Sequence, residues 1–152
     1  MKIVRTLKLY LDLCVYNRPF DDQKQTRIAL ETNAFVYLLD QIENAEYTAL
    51  NSEILRYENS QDPDAGRRER VRSYLRLANE YAKIDKKVIS RAEYLRELKF
   101  DDLDALHLAV AEGAKADYFL TCDDKIVKKA DRHKGKLRVK VMSLLKFVAE
   151  EM

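Results

Sequence analysis

Short apolar runs alternate along the chain with longer segments in which apolar residues recur at helical spacing. The runs predict buried strands, and the longer segments predict helices with one apolar face. The predicted strands are residues 7–15, 47–50, 116–121 and 137–142. The predicted helices are residues 22–44, 52–60, 65–82, 90–98, 101–112, 124–130 and 143–150.

This alternation determines the expected fold class. Parallel strands need long crossovers, usually helices, and those helices cover both faces of the sheet. We therefore expect an α/β protein: a three-layer α/β/α sandwich with a central, mainly parallel sheet. A chain of 152 residues with 47% hydrophobic residues is large enough for one core. Because neither a linker nor a repeat divides it, we predict a single domain over residues 1–152.

Acidic residues stand in or beside two of the predicted strands. Asp12 is the one acid within the first apolar run, where burying a charge is costly unless the charge has a purpose. Asp123 and Asp124 directly follow the run YFLT, although Asp124 is equally suited to cap the following helix. Ligand sites in parallel sheets lie beyond the carboxyl ends of the strands. These acids are therefore expected at one edge of the sheet.

Two further acids, Asp101 and Asp104, open a predicted helix with i, i+3 spacing and share one of its faces. Both can serve the helix itself, Asp101 as a cap and Asp104 through the helix dipole. The apolar neighbours of Asp104 equally favour a position away from solvent, so its role stays open on these grounds. Asp101 and Asp102 are expected to be caps or outer groups around a site.

Several carboxylates at one edge of a sheet favour a metal ion. Two unit charges about 4 Å apart repel by roughly 4 kcal/mol at an effective dielectric near 20. Three or four carboxylates therefore need a cation or raised pKa values near neutral pH. Oxygen ligands suit Mg²⁺ or Mn²⁺, and no His or Cys spacing indicates zinc. His133 is isolated, and His107 is expected to be a hydrogen-bonded helix residue.

Composition narrows the class of protein only modestly. The formal net charge of +2 neither requires nor excludes a nucleic-acid partner. The low content of 3 Gly and 2 Pro argues against disorder and all-β folds. Cys14 and Cys122 are expected to be buried, reduced thiols. Residues 1–11 lack a signal peptide's apolar stretch, and no run is long enough to cross a membrane. We expect a cytoplasmic protein without a membrane partner.

Four segments, in order along the chain, resemble the four acidic blocks of the PIN domain, the fold of VapC-type toxins and related ribonucleases. They are LYLDLCVYN at 9–17, SEILRYE at 52–58, DALHLA at 104–109 and ADYFLTCDD at 116–124. Together they span nearly the whole chain. By this resemblance, the acids of the site are Asp12, Glu58, Asp104 and Asp123.

The resemblance implies a metal-dependent endoribonuclease that hydrolyses phosphodiester bonds in RNA. It implies that Asp12, Asp104 and Asp123 ligate Mg²⁺ or Mn²⁺ directly or through water, and that Glu58 holds a second metal or orients water. It also implies that Thr121 hydrogen-bonds to a carboxylate or to the substrate. Members of the family include toxins neutralised by a small antitoxin protein, and they often form homodimers. We expect the same partners here.

The second acidic block leaves an alternative open, and the first departs from the family pattern. Family members often carry a small polar residue just after the first Asp, whereas Leu13 and Cys14 follow Asp12 here. Glu53 competes with Glu58 for the second acid. The two are five residues apart and lie on different faces of a helix, so only one of them can point at the site. Helical periodicity does not decide between them, and the choice of Glu58 comes from the resemblance alone.

RNA requires basic residues on its approach to an acidic site. The candidates are Arg18, Arg56, Arg67, Arg68, Arg70, Lys125, Lys128 and Lys129. Lys125 directly follows the fourth block and is placed to reach a phosphate near the metal. For the arginines within residues 67–70, a solvated helix face is the preferred interpretation. Tyr16 is a candidate to stack on a base, and Tyr10 is expected to pack in the core.

Two helical segments, 65–82 and 90–98, are the candidate homodimer surface. Their apolar residues Tyr74, Leu75, Tyr81 and Leu95 either form that interface or complete the core. Two other functions compete with the ribonuclease. A non-catalytic PIN-like module that binds nucleic acid or protein predicts no stabilisation by metal. A phosphatase or related phosphoryl-transfer enzyme needs an Asp nucleophile in a specific loop, which DLCVYN does not resemble.

Overall fold

The computed structural model describes residues 6–151. Its strands are β1 (Leu7–Leu11), β2 (Tyr47–Ser52), β3 (Glu80–Ala82), β4 (Tyr118–Thr121) and β5 (Lys140–Ser143). They form one sheet in the order β3-β2-β1-β4-β5, and every neighbouring pair is parallel. The predicted α/β fold with a parallel central sheet is confirmed. The predicted absence of a signal peptide rests partly on residues 1–5, which lie outside the described residues.

Helices connect all of these strands. They are α1 (Leu13–Asn17), α2 (Thr26–Glu43), α3 (Glu53–Ser60), α4 (Ala65–Leu75), α5 (Lys86–Glu97), α6 (Asp102–Gly113), α7 (Asp124–Arg132) and α8 (Leu144–Glu151). Short 3₁₀ turns follow α1 and α7. Among the helices of residues 6–151, none is both long and apolar enough to cross a membrane.

Both faces of the sheet are buried, and β1 at its centre shows why. Tyr10 is fully buried and stacks on Phe119 of β4, with ring centroids 5.4 Å apart. It also meets the ring of His107 on α6, so this face of the sheet packs against α6. On the opposite face, Tyr118 meets Phe147 of α8 at 5.0 Å. The three predicted layers follow from these two sets of contacts.

Several predicted boundaries were wrong, and side-chain hydrogen bonds explain the largest differences. The first strand ends at Leu11 instead of residue 15, because Asp12 accepts a hydrogen bond from the backbone N–H of Leu13 and caps α1. The helix predicted over 90–98 begins earlier, at Lys86. Its cap is Asp85, which accepts from the Val88 N–H at 2.8 Å.

The helix predicted over 65–82 is two elements, and Asn79 separates them. Asn79 exchanges two hydrogen bonds with Ala49 of β2, one through its backbone N–H and one through its side-chain oxygen, both 3.0 Å long. This attaches the chain to the sheet and starts the edge strand β3. Because both polar groups of Asn79 are used by β2, this residue does not continue the helical hydrogen bonding. The sheet edge beside β2 is therefore an element that the apolar pattern did not predict.

A buried ion pair joins α5, α6 and the segment before β5. The Glu112 side chain is 1% exposed and accepts from Arg91 Nε at 2.6 Å and Nη2 at 3.2 Å. It also accepts from the backbone N–H of Arg138 at 2.7 Å. The guanidinium of Arg91 lies over the ring of Tyr94. One carboxylate thus holds three segments of the chain.

The residues of the candidate dimer surface lie mainly in the core. Leu75 and Leu95 are buried, and Tyr74 packs edge-on against Phe35 with ring centroids 5.2 Å apart. Tyr81 alone of the four is exposed, at 43%. Three of the four residues therefore complete the core, and a homodimer stays a prediction without a surface assigned to it.

Candidate functional site

Three of the predicted acids line one open cleft beyond the carboxyl ends of the strands. Glu58 reaches it from α3, Asp104 from the first turn of α6, and Asp123 from the end of β4, and Asp101 lies beside them. We call this cavity of about 1060 Å³ the acidic cleft. The fourth acid, Asp12, lies just behind it, 7% exposed at the end of β1. The elements that carry these acids are far apart in the sequence and meet at one edge of the sheet.

Asp12 is held in place by three donors. Its Oδ1 accepts from the Leu13 N–H at 2.8 Å, and its Oδ2 accepts from the Thr121 hydroxyl at 2.8 Å. The Cys14 thiol donates to the same Oδ2 at 3.4 Å. Leu13 and Cys14 follow Asp12 where PIN domains often carry a small polar residue, and the Cys14 thiol makes this weak hydrogen bond. A carboxylate has about four acceptor sites, so Asp12 keeps capacity for a metal.

The Thr121 hydroxyl links two of the acids. It donates to Asp12 and accepts from the backbone N–H of Asp123 at 3.0 Å. Thr121 is completely buried at the end of β4. Asp123 in turn caps α7 by accepting from the Lys125 N–H at 2.9 Å. The hydroxyl therefore fixes the spacing between the first and fourth acidic blocks.

The surroundings of Asp104 disfavour its ionised carboxyl and raise its pKa. Its partial burial, followed by the charges of Asp12, Asp101 and Asp123, raises the pKa of Asp104 from 3.8 to about 6. Like charges and desolvation both disfavour the ionised carboxyl. A bound cation would remove this penalty, which is the behaviour expected of a metal ligand.

Glu58 ends a buried chain of hydrogen bonds. His107 Nε2 lies 2.9 Å from Glu58 Oε1, and His107 Nδ1 lies 2.6 Å from the Tyr10 hydroxyl. The Tyr10 hydroxyl lies 2.8 Å from Ser52 Oγ, which accepts from the Leu55 N–H. Burial raises the pKa of Tyr10 well above its ordinary value, so the phenol keeps its proton. One proton arrangement satisfies every atom: Ser52 donates to Tyr10, Tyr10 to His107, and His107 to Glu58.

His107 was predicted to be a hydrogen-bonded helix residue, and it is one. Its position beside the acids was missed, although the i, i+3 spacing from Asp104 on α6 places both on one helix face. Ligand atoms of Asp12, Glu58 and His107 all lie within 4.8 Å of one another. This group can hold a divalent metal. Since His107 already donates to Glu58, we interpret its main role as orienting that carboxylate.

Of the competing acids, Glu53 and Asp124 do not line the acidic cleft, whereas Asp101 and Asp102 do. Glu53 accepts from the backbone N–H of Ile84 at 2.9 Å, away from the cleft that Glu58 lines. Asp124 forms a two-pronged ion pair with Arg27, with both N–O distances 2.8 Å. Asp102 pairs with Arg96 at 2.7 Å. Asp101 precedes α6 without a side-chain cap and lines the acidic cleft.

The basic candidates divide into neutralised and available groups. Arg18 bonds to Glu31 and Asp21, and Arg67 bonds to Asp62. Arg70 lies over the ring of Phe20. Lys125 and Lys128 are exposed, and Lys129 donates to the backbone oxygen of Lys99. Arg56 and Arg68 line a second cleft on the other side of α3.

Two basic residues beside the acids were missed, and one aromatic was misassigned. Arg96 and Lys99 line the acidic cleft and flank Phe100 at its wall. Their signal was their position just before the third acidic block. Tyr16 cannot stack on a base, because it is 2% exposed and packs edge-on against Phe35. The suggestion that Tyr16 binds RNA was therefore wrong.

Comparison with known proteins supports the fold. No protein-family model matches this sequence, and no curated protein matches it. The structure is similar to a chain in VapBC2 from Rickettsia felis bound to a DNA fragment from its promoter, with a TM-score of 0.58 and 15% identity over 90% of this chain and 98% of that chain. It is also similar to a chain in DNA-bound VapBC from Salmonella typhimurium, with a TM-score of 0.51 and 14% identity over 91% of this chain and 99% of that chain. The predicted resemblance to PIN domains is confirmed at the level of the fold.

Proposed function

We propose that this protein is a metal-dependent endoribonuclease that hydrolyses phosphodiester bonds in RNA. One observation carries the proposal: carboxylates from four separate segments converge at the carboxyl edge of the sheet, although partial burial together with the neighbouring charges raises the pKa of Asp104 to about 6. A fold does not need this repulsion for its own stability. A hard divalent cation, Mg²⁺ or Mn²⁺, explains it.

The residues of the site divide the work. Asp12, Asp104 and Asp123 offer oxygen ligands, and the Thr121 hydroxyl holds Asp12 in position. Glu58, oriented by His107, offers a fourth carboxylate for a second cation or for the attacking water. When bound, the metal supplies a water of lowered pKa and neutralises charge on the scissile phosphate. Lys99 adds positive charge to the lining of the cleft, where the flanking phosphates of RNA approach, and Arg96 lines it as the partner of Asp102.

The proposed partners are argued from the two similar structures. The two similar structures are VapBC complexes. We propose that this protein is a cytoplasmic toxin that a small antitoxin neutralises, and that it pairs into a homodimer. Co-expression with the product of a neighbouring small gene tests the antitoxin, since a cognate partner restores growth and copurifies with this chain.

Cleavage assays test the proposed activity. We expect the purified protein to cleave single-stranded RNA when Mn²⁺ or Mg²⁺ is added and to lose that activity in EDTA. DNA of the same sequence is the control for substrate class. Failure to cleave any member of a broad RNA panel with either metal would contradict the proposal and favour a non-catalytic module.

Metal binding also has a readout without catalysis. A ligand at about 100 times its Kd stabilises the native state by about 2.7 kcal/mol, which corresponds to a Tm rise of about 5–10 °C for a chain of this size. We expect Mn²⁺ to produce that shift in the wild type, measured by differential scanning fluorimetry.

Two neighbouring residues give a matched pair for this measurement. Asp123→Asn should abolish the shift, because Asp123 faces the acidic cleft, while asparagine still caps α7. Asp124→Asn should keep the shift, because Asp124 is paired with Arg27 outside the cleft. Equal shifts in both variants would place the metal elsewhere.

A further inference from the structure

A second cleft, of about 470 Å³, lies across α3 from the acidic cleft. It is lined by Arg56 of α3, by Arg68 and Arg72 on one face of α4, and by Arg76 directly after α4, together with Glu69 and Tyr81. We call it the arginine cleft. Consecutive residues of α3 serve the two cavities, since Glu58 lines the acidic cleft and Asn59 lines the arginine cleft. A polymer that crosses α3 therefore reaches both.

The charge of the arginine cleft is largely uncompensated. Four guanidinium groups face a single carboxylate, Glu69, whose contact with Arg72 is 3.6 Å long and mostly exposed. Within residues 6–151, Arg56 and Arg76 form no ion pair. The other clustered arginines of the protein differ, since Arg18, Arg27, Arg67 and Arg91 each bond to a carboxylate. The cleft therefore favours an anion.

Asn59 adds a second and independent requirement. Its side chain is 5% exposed, and its Nδ2 donates to the backbone oxygen of Arg68 at 3.0 Å. That bond fixes the amide orientation, which leaves Oδ1 as a buried acceptor. No donor within the described residues reaches Oδ1. An unmade buried hydrogen bond costs about 1–3 kcal/mol, and a ligand donor would recover this cost if the Asn59 side chain turned its Oδ1 into the cleft that the residue lines.

A nucleotide combines these properties. Its phosphate suits the fork-shaped donors of arginine, and its ribose hydroxyl or base amino group can donate to Asn59 Oδ1. Tyr81 is 43% exposed, with the Arg56 guanidinium 5.8 Å from its ring centroid, and it offers a face for a base. A bare inorganic anion would leave Asn59 Oδ1 without a donor.

We propose that the arginine cleft binds the RNA strand on one side of the cleavage point, through a backbone phosphate and an adjacent hydroxyl or amino group. The proposal rests on the proposed ribonuclease function. In this proposal Arg72 and Arg76 contribute to substrate binding, and the RNA strand crosses α3 between the two clefts.

Binding without cleavage tests this site separately from the enzyme's activity. The protein carries Asp104→Asn and is kept metal-free, and its Kd for a fluorescent single-stranded RNA is measured by polarisation. Adding Arg72→Gln and Arg76→Gln should weaken binding about tenfold at roughly 100 mM salt. The slope of log Kd against log salt should fall by about 0.7, the contribution of one phosphate contact on a single strand. Both arginines are exposed, so the fold should survive, and Tm checks it.

The matched control removes two exposed charges at the far edge of the sheet, with Arg132→Gln and Lys146→Gln. Its affinity and salt slope should stay within about twofold of the parent protein. Equal weakening by both pairs would overturn the proposal. So would unchanged RNA binding together with arginine-dependent binding of a glutamate-rich peptide, which would make the cleft a site for an acidic protein.

Two further comparisons identify the RNA group that donates to Asn59 Oδ1 and distinguish this proposal from the proposed nuclease function. RNA bound more tightly than DNA of the same sequence supports the ribose hydroxyl, and equal affinity supports the base amino group. Arginine-dependent RNA binding without any metal-dependent cleavage would uphold this site and contradict the nuclease. Metal-dependent cleavage by the wild type, together with an RNA affinity that Arg72→Gln and Arg76→Gln leave unchanged, would uphold the nuclease and contradict this site.

Discussion

Replacing Asp104 with asparagine is expected to abolish RNA cleavage and, at the same time, to make the metal-free protein more stable. Loss of one charged metal ligand should lower the cleavage rate by about 1000-fold, the scale of losing a major electrostatic contact in a transition state. The gain in stability has a different origin. In the metal-free protein, the ionised Asp104 carboxyl is disfavoured first by its partial burial and then by the charges of Asp12, Asp101 and Asp123.

The sign of the pH dependence follows from the raised pKa. The pKa of Asp104 is about 6 in the folded chain and 3.8 in its ordinary state. The native state therefore binds the extra proton between these values, and it loses stability as the pH rises through this window. Because Asp104 is only partly buried, solvent reduces the penalty to about 1 kcal/mol above about pH 6. Asparagine removes that penalty and leaves stability below about pH 4 unchanged.

Urea unfolding in EDTA at about pH 4 and about pH 7.5 measures this difference. The control is Asp102→Asn, which removes an exposed carboxylate from the same helical turn. Asp102→Asn should retain cleavage and gain no stability at the higher pH. An Asp104→Asn protein that still cleaves RNA at the wild-type rate would refute the assigned site. One that is destabilised at about pH 7.5 would show that Asp104 supports the fold instead.

Replacing Arg91 with methionine is expected to cost about 3–5 kcal/mol of stability, the usual result of leaving a buried charge without its partner. Glu112 is 1% exposed and would keep only the Arg138 N–H as a donor. Methionine fills much of the same volume, so the loss measures charge more than packing. For a chain of this size, Tm should fall by roughly 6–20 °C.

Another arginine on the same helix provides the comparison. Arg96→Met breaks an ion pair with Asp102, whose side chain is 78% exposed, and should cost less than about 1 kcal/mol. The double variant Arg91→Met with Glu112→Met should recover part of the lost stability, since it removes the uncompensated carboxylate. Equal costs for Arg91→Met and Arg96→Met, or no recovery in the double variant, would contradict this account.

Features of the fold and the site that depend on residues close together in the sequence were mostly predicted. Asp12 and Asp123 were placed at one edge of the sheet by a rule about parallel strands, and the structure brings that edge together. The choice between Glu53 and Glu58 required knowing how α3 lies against α6, which periodicity within one helix does not contain. The bond between His107 and Glu58 depends on that same packing.

The arginine cleft was still harder to predict. Arg56 and Arg68 were among the predicted RNA-binding residues, while Arg72 and Arg76 were not. The prediction treated residues 65–82 as one helix, so the face of α4 beside β3 had no defined neighbour. Asn79 created that neighbour through its two bonds to Ala49, a contact between residues 30 positions apart. Long-range contacts of this kind are decided by the assembled core and not by local preference.

The hydrogen bond between Asp12 and Thr121 joins residues 109 positions apart, and this bears on when the proposed activity can arise during synthesis. The strand β4 is a direct neighbour of β1 in the sheet, but it is translated long after β1. Until β4 pairs with β1, Asp12 and Asp123 do not lie together at one edge of the sheet. A nascent chain is therefore expected to lack the proposed ribonuclease activity until β4 has been translated and paired with β1. A partner that neutralises the proposed activity would have to act only after that pairing.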